Sequence, residues 1–369
     1  MTRRAALAAV LALTCAAGCA PLPAPREVEQ LQLIQTLGYD CLGGRVRVSV
    51  SSGREPDGGV SQLTAEGGSI TEAIRRLQDY SPREELFFAH VRFAAVGEDA
   101  AGAGLGPLLD YFERNTQTPL DLPLFVVRGA EAEALVAAAP DPAYEVTALL
   151  ASLQRDAERM GTEHCFTVLE IARRLSRSGS ALCAAVRPVP SGDHVPSAPE
   201  GALSVLPAGY AVLRDGALAG YLDEDAALGA DLILGLAGQA CTVLPLDGGR
   251  VTVQLRASRS ETVRGPDGGT LVRIRCRAGV VESDGAGSLT GASLGALAEA
   301  LAGRLAACAA AALEAETRLD TDFLELGRTA GEGPSSVPPH WRAEVTAVIE
   351  RSYDLADSAR VDGREDRDG

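Results

Sequence analysis

"GGSITEAIRRLQDYSPREELFFAHVRFAAV", residues 67–96, sets a helix directly against a strand, and how these two continue decides the fold class. Ser69 followed by Glu72 has the spacing of a capping box, in which a hydroxyl and a carboxylate satisfy free N–H groups of a first helical turn. Ile70, Ala73, Ile74 and Leu77 then recur at helical spacing, which predicts a helix with one apolar face. The apolar run 86–96 predicts a buried strand, with His90 a core histidine bonded to backbone rather than a general base. Outward from this pair, "RVRVSVSS" at 45–52 alternates as a half-buried strand should, and 105–115 reads as a helix. A strand at 123–129, a short helix at 130–138, helices at 145–159 and 164–177 and a strand at 181–189 follow. Strands and helices interleave without a constant repeat, so the expectation is α+β, with mixed sheets and packed helices, rather than a doubly wound sheet.

"PSGDHVPSAPEG" at 190–201 has the composition of a linker and sets a domain boundary. Beyond it, Asp215-Gly216 and Asp247-Gly248-Gly249 each sit between short apolar runs and predict tight hairpins. "GPDGG" at 265–269 separates this small unit from "TLVRIRCRAGVV", whose Val272, Ile274 and Cys276 alternate with exposed Arg273, Arg275 and Arg277. A long amphipathic helix is expected at 293–318, with Leu294, Leu297, Leu301 and Leu305 on one face. The expected organisation is therefore an N-terminal α+β domain at 26–189, a small middle domain at 202–264, a C-terminal sheet-plus-helix domain at 265–357 and a solvated tail at 358–369.

The N-terminus reads differently. Arg3 and Arg4 precede an uncharged apolar stretch too short to span a bilayer, which is the pattern of a secretory signal over residues 1–18. Small residues Ala16, Ala17 and Gly18 directly before Cys19 fit cleavage and lipidation there, while Leu13 and Thr14 before Cys15 do not. Residues 19–25 would then be a lipidated, proline-rich spacer. The chain has 34 basic residues, every one arginine, against 50 acidic ones, a net charge of −16 that argues against a nucleic-acid partner. The same charge means that an anionic membrane repels the chain as a whole, so acyl chains rather than a basic patch would hold it there.

No constellation of catalytic or metal-ligating residues assembles. Cys41, Cys165, Cys183, Cys241, Cys276 and Cys308 have no zinc spacing and read as small, mostly buried side chains. "GASLG" at 291–295 satisfies G-x-S-x-G, with Asp320 or Asp322 and then His340 in the chain order of an α/β hydrolase. The segment before Ser293 is polar and glycine-rich instead of a buried strand, so Ser293 reads as the N-cap of the long helix. A serine hydrolase using Ser293 and His340 is the rival reading from another class; a free-standing solute-binding lipoprotein is a second, and the chain lacks its duplicated lobes.

The order of segments resembles the Ger(x)C family, the lipoprotein C subunit of spore germinant receptors. "REVEQLQLIQTLGYD" is similar to the family's opening strand, and "GGSITEAIRRL" followed by "LFFAHVRFAAVGEDAAGAGL" to its helix, its strand bearing the Ala-His pair at His90, and its Gly-Glu. "HCFTVLEIARRLS" resembles the last helix of the first domain. "GYAVLRDGALAGYLDEDAALGADLILG" resembles the signature of the second half, with Gly220 and Leu222 at matching positions, and "DTDFLELGR" and "PPHW", ending at Trp341, the closing segment. The resemblance implies a three-domain α+β lipoprotein anchored through Cys19 to the outer face of the spore inner membrane, beside the integral-membrane A and B subunits. It implies no enzyme activity and no cofactor beyond the diacylglycerol and acyl chains on Cys19. The chain departs from the family's pattern at its end, where Tyr353 and a short acidic run stand in place of a second tryptophan and a long final strand.

Overall fold

The structure, a computed structural model, describes residues 30–54, 59–136, 145–193, 195–197, 201–246, 248–264, 270–284, 291–326 and 341–350. The capping-box helix forms as α1 (Ile70–Tyr80): Ser69 Oγ accepts the Glu72 amide at 3.2 Å, while the Glu72 carboxylate accepts the Gly68 amide at 2.8 Å, one residue upstream of the expected partner. The run 86–96 is not one strand. It divides into β5 (Glu85–Phe87), a 3-10 turn at Phe88–His90 and β6 (Phe93–Gly97), and β5 pairs with the short β1 (Leu31–Leu33). His90 is consequently an exposed turn residue whose ring lies 5.7 Å from that of Phe87, not a core histidine.

One eight-stranded sheet dominates, in the order β10-β9-β8-β7-β6-β2-β3-β4. Its centre is parallel: β2 (Thr36–Leu42), β6, β7 (Leu124–Val127) and β8 (Ser180–Pro190) run the same way. Parallel neighbours need crossovers. α2 (Glu98–Ala103) and α3 (Gly106–Arg114) carry the chain from β6 to β7; α4 (Ala132–Val136), α5 (Val146–Met160) and α6 (Val168–Ser178) carry it from β7 to β8. Every residue of β6 and β7 is buried, as expected of strands covered on both faces. Leu77, Leu108 and Ile171 belong to the core on one side, Phe93, Phe125 and Leu150 to that on the other. The antiparallel flanks are β3 (Arg45–Arg54) with β4 (Val60–Gly67), and β9 (Leu203–Arg214) with β10 (Ala217–Leu222). Asp215 and Gly216, both at positive φ (51° and 82°), close the β9–β10 hairpin as their sequence predicts.

The expected boundary at 190–201 is corrected by this sheet. β8 and β9, on either side of it, are antiparallel neighbours, so the proline-rich segment is a hairpin connection and not an interdomain linker. The expected middle domain, 202–264, is divided accordingly. Its first hairpin completes the large sheet, whereas β11 (Cys241–Leu246) and β12 (Gly249–Arg264) form a second sheet with β13 (Thr270–Asp284) and β14 (Trp341–Glu350), in the order β11-β12-β13-β14. The turn at 265–269 lies outside the described residues, but the strands flanking it pair with each other, so it joins where a separation was expected. β13 and β14 are parallel and are connected through α8 (Gly291–Leu319). Leu297, Leu301 and Leu305 of α8 share a core with Val272, Ile274 and Cys276, while Arg273, Arg275 and Arg277 are exposed. By length and hydropathy alone α8 would suffice to cross a membrane; here its leucines are occupied by the sheet.

The two sheets share one continuous core through α7 (Glu224–Leu234), which packs on α8. The helices touch backbone to backbone: a Cβ on Gly229 would stand 1.9 Å from the carbonyl oxygen of Cys308. The chain after α8 then ties back to the large sheet, with the Asp322 amide on Ser180 Oγ at 3.1 Å and Arg174 on the Phe323 carbonyl at 3.5 Å. Two carboxyl groups are sealed here. Asp231 accepts from Tyr210 Oη at 2.6 Å and from the Glu163 amide at 2.8 Å, and burial raises its pKa to about 7. Glu316 accepts from the Leu324 amide at 2.9 Å, and burial raises its pKa to about 8.

Two outcomes follow for stability. Gly229→Val should separate α7 from α8 and lower the melting temperature sharply, whereas Gly303→Ala, whose added methyl meets open space, should raise stability by up to ~1 kcal/mol through helix propensity. Equal effects in thermal melts would contradict the contact. Because the folded-state pKa of Glu316 is raised, the stability its neutral form contributes is full below the ordinary carboxylate range and is lost as pH rises through about 8. Glu316→Gln should therefore gain on the wild type as pH goes from 5 to 9, measured as the difference between their melting temperatures; a difference that does not change with pH would count against a buried neutral acid.

Candidate functional site

The carboxyl ends of parallel strands in an open sheet are where ligand sites form, because loops diverge there and helix N-termini point inward. In this sheet those ends bring together Asp40 and Cys41 of β2, Glu98 and Asp99 after β6, and Arg128 and Gly129 after β7. Antiparallel pairing of β10 with β9, and of β9 with β8, turns the end of β10, with Tyr221 and Leu222, to the same edge. A cleft of about 330 Å³ lies among Asp40, Cys41, Glu98, Asp99, Gly129 and Glu131.

Its polar groups are largely committed. Asp40 is buried and accepts from the amides of Ala132 and Glu133 at 2.8 and 2.9 Å, capping α4. Burial raises its pKa, with the two amide bonds opposing. Gly97 is required beside it, since a Cβ there would stand 2.1 Å from Asp40 Oδ1. Glu98 accepts the Gly129 amide. The Arg128 guanidinium stacks 4.4 Å from the centre of the Tyr221 ring and bonds Asp223 at 3.0 Å. The Tyr221 hydroxyl is buried without a hydrogen-bond partner among the described residues; burial first, and then the nearby charge of Glu98, pushes its pKa up. Arg47 gathers Glu66 at 3.0 Å, Glu131 at 2.9 Å and Glu133. The half-buried thiol of Cys41 also lines the cleft, with no hydrogen bond to a base among the described residues. Among the described residues no group of three or more His, Cys, Asp or Glu is placed to hold a metal ion.

The residues singled out by sequence do not converge. Cys19 and His340 lie outside the described residues. His90 precedes β6 and so sits at the opposite end of that strand from the cleft. Gly220 makes room for the long helix rather than for a strand: a Cβ would meet Leu319 Cδ2 at 2.8 Å. Leu222 is fully buried core. Trp341 opens β14 half-buried, its indole N–H without a partner among the described residues. Ser293 falls inside the first turn of α8, which begins at Gly291, so it is not the N-cap. Asp320 follows the last residue of the same helix, placing it roughly 40 Å from Ser293 along the axis at 1.5 Å per residue. A hydrolase triad drawing on Asp320 cannot form. All six described cysteines are free thiols; Cys183, Cys276 and Cys308 are buried, whereas Cys241 is exposed. Sequence reading missed Asp231, Glu316 and the Arg128–Tyr221 stack, although an acid inside an apolar helix was the available signal for the first two.

Asp40→Ala leaves two helix-terminal amides without their acceptor and should cost about 1–2 kcal/mol in denaturant melts, while Asp99→Ala on the exposed rim should stay within ~0.5 kcal/mol. Comparable losses from both would remove Asp40 as the organiser of this edge.

Residues 25–188 match the family model described as the spore germination protein N-terminal domain. No curated protein matches the chain in sequence. Among solved structures, the crystal structure of the GerBC protein superposes with a TM-score of 0.51 at 12% identity, over 85% of this chain and 97% of that one. At that identity the likeness is one of fold, and its coverage extends well past the matched domain. These findings assign residues 25–188 to the spore germination protein N-terminal domain, and the chain as a whole has a fold similar to that of GerBC.

Proposed function

We propose that this chain is the C subunit of a spore germinant receptor, held at the outer face of the spore inner membrane by diacylglycerol and acyl chains on Cys19. It works beside the integral-membrane A and B subunits by binding and positioning rather than by catalysis. The observation that carries this reading is the family domain beginning at residue 25, directly after a cysteine preceded by small residues and followed by a proline-rich spacer. The commitment of the cleft's charged groups to backbone amides and to each other supports a positioning role. So does the separation of Ser293 from Asp320 along α8.

Spores lacking this protein should lose the response to the germinants of its own receptor and keep responses that run through other receptors. Cys19→Ala should give unprocessed protein without acyl label, whereas Cys15→Ala should change neither labelling nor membrane fractionation. The measurement is a germination assay with immunoblots for all three subunits. A normal response without the protein contradicts the receptor reading, and retained acyl label in Cys19→Ala contradicts the anchor.

A further inference from the structure

The outward side of the four-stranded sheet is exposed on every strand, as Val243 on β11, Arg259 on β12, Arg275 on β13 and Val348 on β14 show. Val243, Val281 and Val348 are 58%, 60% and 59% exposed, three of the five large apolar side chains left in solvent among the described residues. On the same face Arg277 lies level with Val348, and Arg259, Arg275 and Arg273 continue along the two central strands away from Val243 and Val281. Arg273 is shared by Glu261 and Glu344 at 3.9 and 3.7 Å, and Arg277 reaches Glu350 at 3.2 Å. Arg259 and Arg275 differ from these: they are direct cross-strand partners, and neither has an ion-pair partner among the described residues. Like charges directly opposite on a sheet repel. In a chain with 50 acidic residues and a net charge of −16, two adjacent guanidinium groups at the middle of an open face are left for an anion from outside.

We infer that this face rests on the headgroups of anionic phospholipids. A guanidinium matches phosphate oxygens bidentately, and its aliphatic stem lies along apolar surface while the head stays at the polar boundary. The face is a sheet surface, not a groove, which suits a planar partner; Val348 beside Arg277, and Val243 and Val281 farther along the same face, meet the upper acyl region. The remainder of the chain is acidic and is repelled by the same lipids. The face therefore does not replace the anchor: it selects which side of the molecule turns down once a tether brings it close.

Cys241 reports on this directly, being exposed and on the same side of β11 as Val243, two residues away. The full chain is floated with vesicles of phosphatidylcholine alone or with added phosphatidylglycerol, and alkylation of Cys241 by a water-soluble maleimide is followed by peptide mapping. The expected result is alkylation several-fold slower on the phosphatidylglycerol vesicles, with the slowing removed by high salt and by the double change Arg259→Glu, Arg275→Glu. The neutral pair Arg259→Gln, Arg275→Gln should fall between, and all three proteins should melt alike. Flotation only with phosphatidylglycerol vesicles, lost on charge reversal, supports the face even though it contradicts the acyl anchor. Equal rates on both vesicles, or slowing that survives charge reversal, overturns the proposal. Protection that appears only when the partner subunits are added also overturns it, and assigns the face to an acidic protein surface.

Discussion

The contact of α7 with α8 at Gly229 and Cys308 is the constraint on which the rest of the structure depends. Without a side chain at position 229 the two helix backbones meet, and the larger sheet and the smaller one then share one core. The end of α8 is brought under β10, where Gly220 admits Leu319, and the chain beyond it reaches Ser180 at the head of β8. Asp231 and Glu316 are sealed by the same closure. Each would be costly as a buried anion, and burial raises the pKa of each against the opposing pull of the backbone amides and, for Asp231, of the Tyr210 hydroxyl. At this junction packing shifts the protonation of both acids upward in pH.

Much of the fold was legible because its signals are local. The capped helix at 70–80, the hairpin at Asp215-Gly216 and the alternation that buries Val272, Ile274 and Cys276 each depend on a few neighbouring residues. What escaped is long-range. Prolines and glycines at 190–201 announce a loop, but composition does not say whether a loop joins domains or adjacent strands; only the pairing of β8 with β9 decides that. The apolar run around His90 concealed a 3-10 turn, because phenylalanines flanking a turn look the same in sequence as phenylalanines within a strand. The Arg128–Tyr221 stack was equally out of reach, since its partners are distant in sequence and meet only when β10 comes to lie at the same edge as β7.

The site residues follow the same division. Gly220 and Leu222 were legible as structurally important, yet the partner of Gly220 is a helix that arrives much later in the chain. The large sheet offers a polar cleft whose groups are largely bonded already, and the small sheet offers an open face of arginine and valine. A protein built this way presents surfaces at fixed positions.

The central claim is that the two sheets form one body joined through α7 and α8. Hydrogen exchange on the intact protein tests it most directly. The account predicts that the amides of α7, those of α8 from Cys308 to Leu319 and those of β8 and β9 share one opening free energy, and that Gly229→Val lowers all of them together. Exchange in α8 that proceeds independently of β8 and β9, or a Gly229→Val effect confined to α7, would contradict it.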